Sequence, residues 1–285
     1  LANITGASDG TARPSGAEKR SDLRARVISS VILGPLVLLA VLLGGYVYAA
    51  LIFLMALLGV REWVRLVGPA ERELAKELSY GFLIAALIVE VLVGPAPASF
   101  VLIALSAVLL MAVAAHGYSH RRLIAFGIPY VGFAAVALLW LRQQPDDGVE
   151  LVLWLSISVW STDIGGYVAG RTIGGPKLAP RISPNKTWSG FAGAIVGAVI
   201  FGGLVALLFG AEMPLLAGAF AGVLAIVAQM GDLFESAIKR KFGVKDSGRL
   251  IPGHGGMLDR VDGLIAAAPV LAVFHSTLGE TVGWW

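Results

Sequence analysis

Nine apolar runs, at residues 27–43, 46–60, 79–93, 98–115, 124–141, 150–170, 190–209, 214–234 and 263–279, alternate with polar connections along almost the whole chain. Runs of this kind leave few ways to fold. In water they would need a polar surface to cover them, and this chain has too little to offer. Charged residues are 14% of the 285 and hydrophobic ones 57%, against about 25% charged in an ordinary soluble domain. In a bilayer each run can satisfy its backbone hydrogen bonds within one helix. The expected fold class is therefore an all-α polytopic integral membrane protein with about nine transmembrane helices. Gly44-Gly45 is a natural tight turn and splits 27–60 into two helices. The 36 glycines suit close helix packing in lipid.

The positive charges orient the bundle. With the N-terminus cytoplasmic, the inside segments hold 5, 4, 2, 4 and 6 Lys/Arg, which is 21 of the 22. Only Arg142 falls outside, beside Asp146, Asp147 and Glu150. Lys and Arg favour the cytoplasmic side, so the expected topology is N-terminus inside, C-terminus outside. Residues 1–26 form a polar, basic N-terminal tail, and 27–285 a single transmembrane domain without an internal repeat. The long polar connections, 61–78, 171–189 and 235–262, then all face the cytoplasm. The chain has no cysteine, which excludes disulfides, thiolate nucleophiles and Cys-ligated metals. His116 and His120 read as surface residues and His275 as packed inside the last run. Neither they nor His254 form a zinc-binding spacing.

Ionisable groups at membrane depth are costly and need a partner, a metal or a wet cavity. Glu90 lies late in the third run, near its outer boundary. Asp163 lies in the sixth run, roughly 10 Å from its cytoplasmic end at about 1.5 Å per residue, with Gly165, Gly166 and Gly170 leaving room beside it. A hydrogen bond between helices or a structural ion pair explains Asp163 as readily as a functional role does. Asp232 and Glu235, spaced i,i+3, share one side of the helix that ends the eighth run. Asp259 and Asp262 repeat the spacing where the ninth begins. Acids suit the start of a helix, so capping accounts for Asp259 or Asp262, but not for Asp232 at the opposite kind of end. Four carboxylates flanking one connection converge only around positive charge, and hard oxygen ligands point to Mg²⁺ or a similar ion.

That connection also carries Lys239, Arg240, Lys241, Lys245, Arg249 and Arg260 among Gly243, Gly248, Gly253, Gly255 and Gly256. Positive-inside charge alone would place such cations here. Their interleaving with glycines and acids suits phosphate oxygens, on which flexible backbone N–H groups such as those of Gly255 and Gly256 can close. No GxxxxGK[ST] motif is present, so a P-loop ATPase is not indicated. The second long connection, RTIGGPKLAPRISPNKTWSG from Arg171 to Gly190, offers Lys177, Arg181 and Lys186 with Ser183, Thr187 and Ser189 as neutral hydrogen-bonding groups. Pro176, Pro180 and Pro184 favour a shaped loop over a helix, and Trp188 reads as an interfacial anchor. Metal ions neutralising a polyphosphate, with Lys and Arg holding its oxygens, suit phosphoryl or nucleotidyl transfer.

The run Ser236-Ala-Ile-Lys239-Arg240, four residues, Lys245-Asp246-Ser-Gly248, two residues, Ile251-Pro252-Gly-His254-Gly255-Gly256-Met257-Leu-Asp259-Arg260-Val-Asp262 resembles the signature of the phosphatidate cytidylyltransferases, or CDP-diacylglycerol synthases. The match is complete across 27 residues. Asp163 through Gly170, followed by Ile182-Ser183-Pro184-Asn185-Lys186-Thr187-Trp188, is similar to a second family stretch. There the family commonly carries Glu where this chain has Ser189, and Ala where it has Gly166, so position 189 is given no role. The first 140 residues resemble the family mainly in hydropathy.

The resemblance implies the reaction CTP + phosphatidate → CDP-diacylglycerol + pyrophosphate, with Mg²⁺ required and K⁺ as a possible second cation. It implies a bacterial inner (plasma) membrane enzyme, a homodimer, whose active site faces the cytoplasm and whose partners are CTP, phosphatidate and membrane lipid, with no nucleic acid. By this likeness Asp232 and Asp259 hold the metal. Asp246 and Asp262 are further polar site residues, Lys186, Lys239, Arg240, Lys245 and Arg260 serve the phosphates, and His254 touches phosphate or orders the loop. Two other readings stand beside it. One is a cytidylyltransferase for another lipid phosphate, such as an archaeal-type ether lipid. The other is a polytopic ion or solute transporter, which also uses broken helices and buried acids.

Overall fold

The computed structural model describes residues 16–67, 73–93, 103–105, 108, 120–248, 250, 255–279 and 282–285. Among the described residues eight helices carry the fold: α1 (Gly16–Leu43), α2 (Gly45–Val67), α3 (Glu73–Val93), α4 (Arg121–Arg142), α5 (Gly148–Thr172), α6 (Trp188–Phe209), α7 (Pro214–Lys241) and α8 (Leu258–Phe274). A π-helical turn, His275–Gly279, extends α8. Between α5 and α6 lies an antiparallel hairpin of β1 (Lys177–Ala179) and β2 (Ser183–Thr187). The all-α membrane class is as expected, and the proline-rich connection is a shaped loop.

Six helices among the described residues are long and apolar enough to cross a membrane: α2, α4, α5, α6, α7, and α8 with its π turn. Among the described residues of α1 and α3 the apolar stretches are Val31–Leu43 and Leu83–Leu92. The expected span at 98–115 lies largely outside the described residues; 103–105 and 108 are helical. Residues 16–26 of the expected tail are the start of α1. The chain does break between α1 and α2 at Gly44 and Gly45, both at positive φ, which glycine alone adopts cheaply.

Several helices outrun their apolar segments. α2 continues past residue 60 to Val67, α7 past 234 to Lys241, and α8 starts at Leu258 rather than 263. The connection expected at 235–262 thus shrinks to residues 242–257. Helix ends follow capping rather than hydropathy. Thr187 caps α6 by accepting the Gly190 N–H at 3.1 Å. Gly210 ends that helix in the left-handed conformation, and Pro214 opens α7 where no N–H is needed.

α5 and α6 form the most extensive helix pair, and their contact is built from small residues. A Cβ on Gly165 would collide with the Gly193 carbonyl, and one on Gly190 would stand 2.9 Å from the Gly166 carbonyl. Such close approach replaces the hydrophobic drive that lipid removes. α4 is central, burying Ile124, Ile128, Val131, Ala134 and Leu141, while α6 exposes Val196, Ile200, Leu204 and Leu207 as a bilayer requires. Glu90 is fully buried in α3. His275 is buried as expected, accepting the Trp284 indole N–H at Nδ1 (3.2 Å). Beside it, at the end of the bundle away from Asp259, burial pushes the Asp147 carboxyl up, opposed by His275 at 3.9 Å.

Candidate active site

α5, α7 and α8 bring their acids to one end of the bundle, and the hairpin lays a lysine over them. Lys186, on β2, places Nζ 2.5 Å from Asp232 Oδ2 and donates to Gln229 Oε1 at 2.8 Å. Gln229 and Asp232 are neighbours on α7 at i,i+3, so one ammonium meets both. Ser236 donates to the other Asp232 oxygen at 3.2 Å. Asp163 on α5 lies within electrostatic reach of Asp232, Lys186 and Arg260, and its side chain is exposed. Asp262 on α8 feels Asp232, Asp163 and Lys239 and takes the Gly263 N–H at 2.7 Å.

A second cluster adjoins the first through Asp262. Lys239 Nζ bridges Glu235 Oε1 at 3.2 Å and Asp259 Oδ1 at 2.7 Å. Asp259 also accepts the Ser247 N–H, at 2.9 Å to Oδ2, and the Gly256 N–H at 2.9 Å. The acid that opens α8 is thereby tied to both ends of the glycine-rich loop. Four carboxylates expected to need positive charge have it supplied, at least in part, by Lys186 and Lys239. Asp232 and Asp259 are each paired with a different lysine.

The remaining expected residues divide. Arg240 fastens the hairpin to the loop, donating to the Ile182 carbonyl at 3.2 Å and the Val244 carbonyl at 3.1 Å. Lys245 and Asp246 are exposed on the loop, and Arg260 is exposed on α8. Ser183 sits half-buried in β2 opposite Ala179. Thr187 is buried as the α6 cap. Gly255 has φ +85° and Gly256 is wedged against Ser247, Glu62 and the Gly248 backbone with no room for a Cβ. His254 and Arg249 lie outside the described residues.

The sequence reading missed two participants. Gln229 was hidden as one polar residue in an apolar helix. Glu62, on α2, is buried and accepts from Ser247 Oγ (3.0 Å), the Met257 N–H (2.9 Å) and the Leu258 N–H (2.9 Å). A signal existed: Glu62 is the one acid of α2 and stands among Val60, Trp63 and Val64, but Arg61 and Arg65 beside it made it look like surface charge.

Among the described residues no three His, Asp or Glu side chains form a closed ligand cage. The arrangement is an open one, acids and cations facing the same end, suited to a ligand that brings its own oxygens. Residues 24–278 match the model of the cytidylyltransferase family. The chain is 41% identical over 261 residues to a phosphatidate cytidylyltransferase of Brucella suis, covering 91% of this chain and 96% of that protein. It is 32% identical over 261 residues to one from Staphylococcus epidermidis, covering 88% and 98%. A third, from Mycobacterium leprae, is 44% identical over 138 residues, covering 48% and 44%.

Proposed function

The chain belongs to the cytidylyltransferase family, and from that membership we propose that it transfers the cytidylyl group of CTP to phosphatidate, giving CDP-diacylglycerol and pyrophosphate. The observation that carries this reading is the joining of Asp163, Lys186, Asp232, Lys239, Asp259 and Asp262 at one end of a membrane-spanning bundle. The 27-residue sequence signature contributes three of them.

Mg²⁺ fits this donor set. Asp232 and Asp259 would supply hard oxygens by giving up or sharing their ammonium partners, and Asp232 remains about a third exposed, at 32%. Mg²⁺ commonly takes one or two carboxylates and completes its shell with water and substrate phosphates. Bound there, the ion would neutralise the triphosphate and stabilise charge on the reacting phosphorus. Lys186, Lys245 and Arg260 orient the phosphate oxygens of the two substrates. A lipid-phosphate oxygen forms the new bond to the CTP α-phosphorus. The α–β bridging oxygen leaves with the bonding pair as pyrophosphate. The attacking oxygen is already anionic, so no protein base is required.

Purified protein given Mg²⁺, phosphatidate and CTP should place an α-phosphate label in lipid and release a γ-phosphate label as pyrophosphate. Transfer of the γ-label to lipid would mean a kinase. An ether-lipid phosphate used in preference to phosphatidate would move the enzyme to another acceptor. No lipid product from any such acceptor, in folded and Mg²⁺-loaded protein, would favour a transporter.

The curated relatives named above are bacterial, and the proposed setting is the bacterial inner membrane with nine spans, N-terminus inside, C-terminus outside and the site facing the cytoplasm. The Lys/Arg partition supports it. With no native cysteine, Lys241→Cys and Glu212→Cys each report one position. In sealed inside-out vesicles an impermeant thiol reagent should label the first and spare the second; the reverse pattern would invert the topology.

A further inference from the structure

Glu62 lies in the last two turns of α2, in the half of the chain that the signature does not reach. It is 6% exposed, and among the described residues its hydrogen-bond partners come from the signature loop. Its Oε1 takes the Met257 N–H and its Oε2 the Leu258 N–H, both at 2.9 Å. These two donors open α8 and have no carbonyl of their own helix to bond. No side chain of that segment caps α8, so a carboxylate from another helix does so. A charged acceptor on a backbone N–H is stronger than a neutral one, and negative charge at this end also suits the helix dipole.

The loop is shaped to receive this carboxylate. A Cβ on Gly248 would stand 2.7 Å from Glu62 Oε1, and one on Gly256 would collide with Glu62 Oε2 and Ser247 Oγ. Two glycines of the signature thus make room for a side chain outside it. The next residue, Trp63, fixes the rotation of α2: it is fully buried, donates to the Leu123 carbonyl of α4 at 2.7 Å, and stacks on Phe234 of α7 at 6.1 Å. Glu62 is therefore presented by a helix that cannot easily turn.

We propose that Glu62 is a positioning residue for cytidylyl transfer, holding residues 247–248 and 256–258 so that Asp259 and Lys239 keep their orientation. Asp259 and Glu62 grip the same two loop ends, Ser247 with the segment at 256–258, from opposite helices. Releasing Glu62 leaves, among the described residues, Asp259 as the carboxylate holding them. The inference rests on the cytidylyltransfer reading above.

The test compares Glu62→Gln with wild type in turnover and in hydrogen exchange. Glutamine keeps the volume but turns an amide NH₂ toward donors that need an acceptor. The expected result is a fall in kcat of about tenfold or more, KM for both substrates within about threefold, and faster exchange confined to residues 244–258. Wild-type-like kcat, or a loss accompanied by equal loosening of α6 and α7, would overturn the assignment. Should Glu62→Gln fail to fold, Ser247→Ala removes one of the three contacts. It should lower kcat about threefold and loosen the same segment, and unchanged kcat and exchange would refute the coupling. Absence of product from wild-type protein would instead refute the cytidylyltransfer reading itself, a separate outcome.

Discussion

Asp232→Asn should lower turnover by roughly a thousandfold or more while leaving the protein folded. The two effects separate because of where Asp232 sits. Its pair with Lys186 is short, at 2.5 Å, but the side chains are 19% and 32% exposed. An ion pair with that much solvent contributes on the order of 1 kcal/mol, and Asn keeps the volume and an acceptor for Ser236. The stability cost is therefore small. The lost charge matters far more to a site that must gather a divalent ion, a triphosphate and a lipid phosphate. Mg²⁺ added to wild-type protein without nucleotide should raise its unfolding temperature, since an ion that binds the folded state alone stabilises it. That rise should vanish in Asp232→Asn. A variant that keeps a tenth of wild-type turnover, or an undiminished Mg²⁺ shift, would remove Asp232 from the metal site. Asp259→Asn is expected to match it in turnover but to cost more stability, because Asp259 also anchors the loop.

The class of fold was legible because hydropathy is a property of single residues added along the chain, and lipid leaves a helix little alternative. The ends of the helices were not. Ser236 and Lys239 fall in the connection expected from the sequence, yet α7 runs through them to Lys241. Hydropathy marks where lipid stops, whereas a helix stops where its hydrogen bonds find other partners. The site was legible wherever its residues were close in sequence: the i,i+3 pairs at 232 and 235 and at 259 and 262 do frame it. Pairings across the chain were not. Nothing in the order of residues says that Lys186 chooses Asp232, Lys239 chooses Asp259, or Glu62 reaches 185 positions onward to Ser247. Glycines were the most easily misread. Gly256 was taken as a phosphate cradle, and its N–H is given to Asp259 while its missing Cβ makes room for Glu62. Both uses need a glycine, and only geometry tells them apart.

Lys239→Met should have the largest effect on stability of any single change at the site. Lys239 is the shared cation of Glu235, whose side chain is 0% exposed, and Asp259, at 7%. Removing one partner of a buried charge network typically costs about 3–5 kcal/mol, because the groups left behind cannot return to water. Here two carboxylates lose their cation at once, and Glu235 already has one oxygen without a hydrogen-bond partner among the described residues. The Met side chain fills the volume, so a packing defect is not the cause. Reversible denaturant unfolding in detergent measures the loss. The double variant Glu235→Gln, Lys239→Met then separates charge from shape: deleting the stranded acid should restore a large part of the stability. It should not restore turnover, since Asp259 still lacks the ammonium that orients Oδ1. A single Lys239→Met variant within about 1 kcal/mol of wild type would show that the pair is solvated as surface pairs are. Full recovery of activity in the double variant would show that Lys239 serves only to neutralise Glu235 and contributes nothing to the reacting phosphates through Asp259.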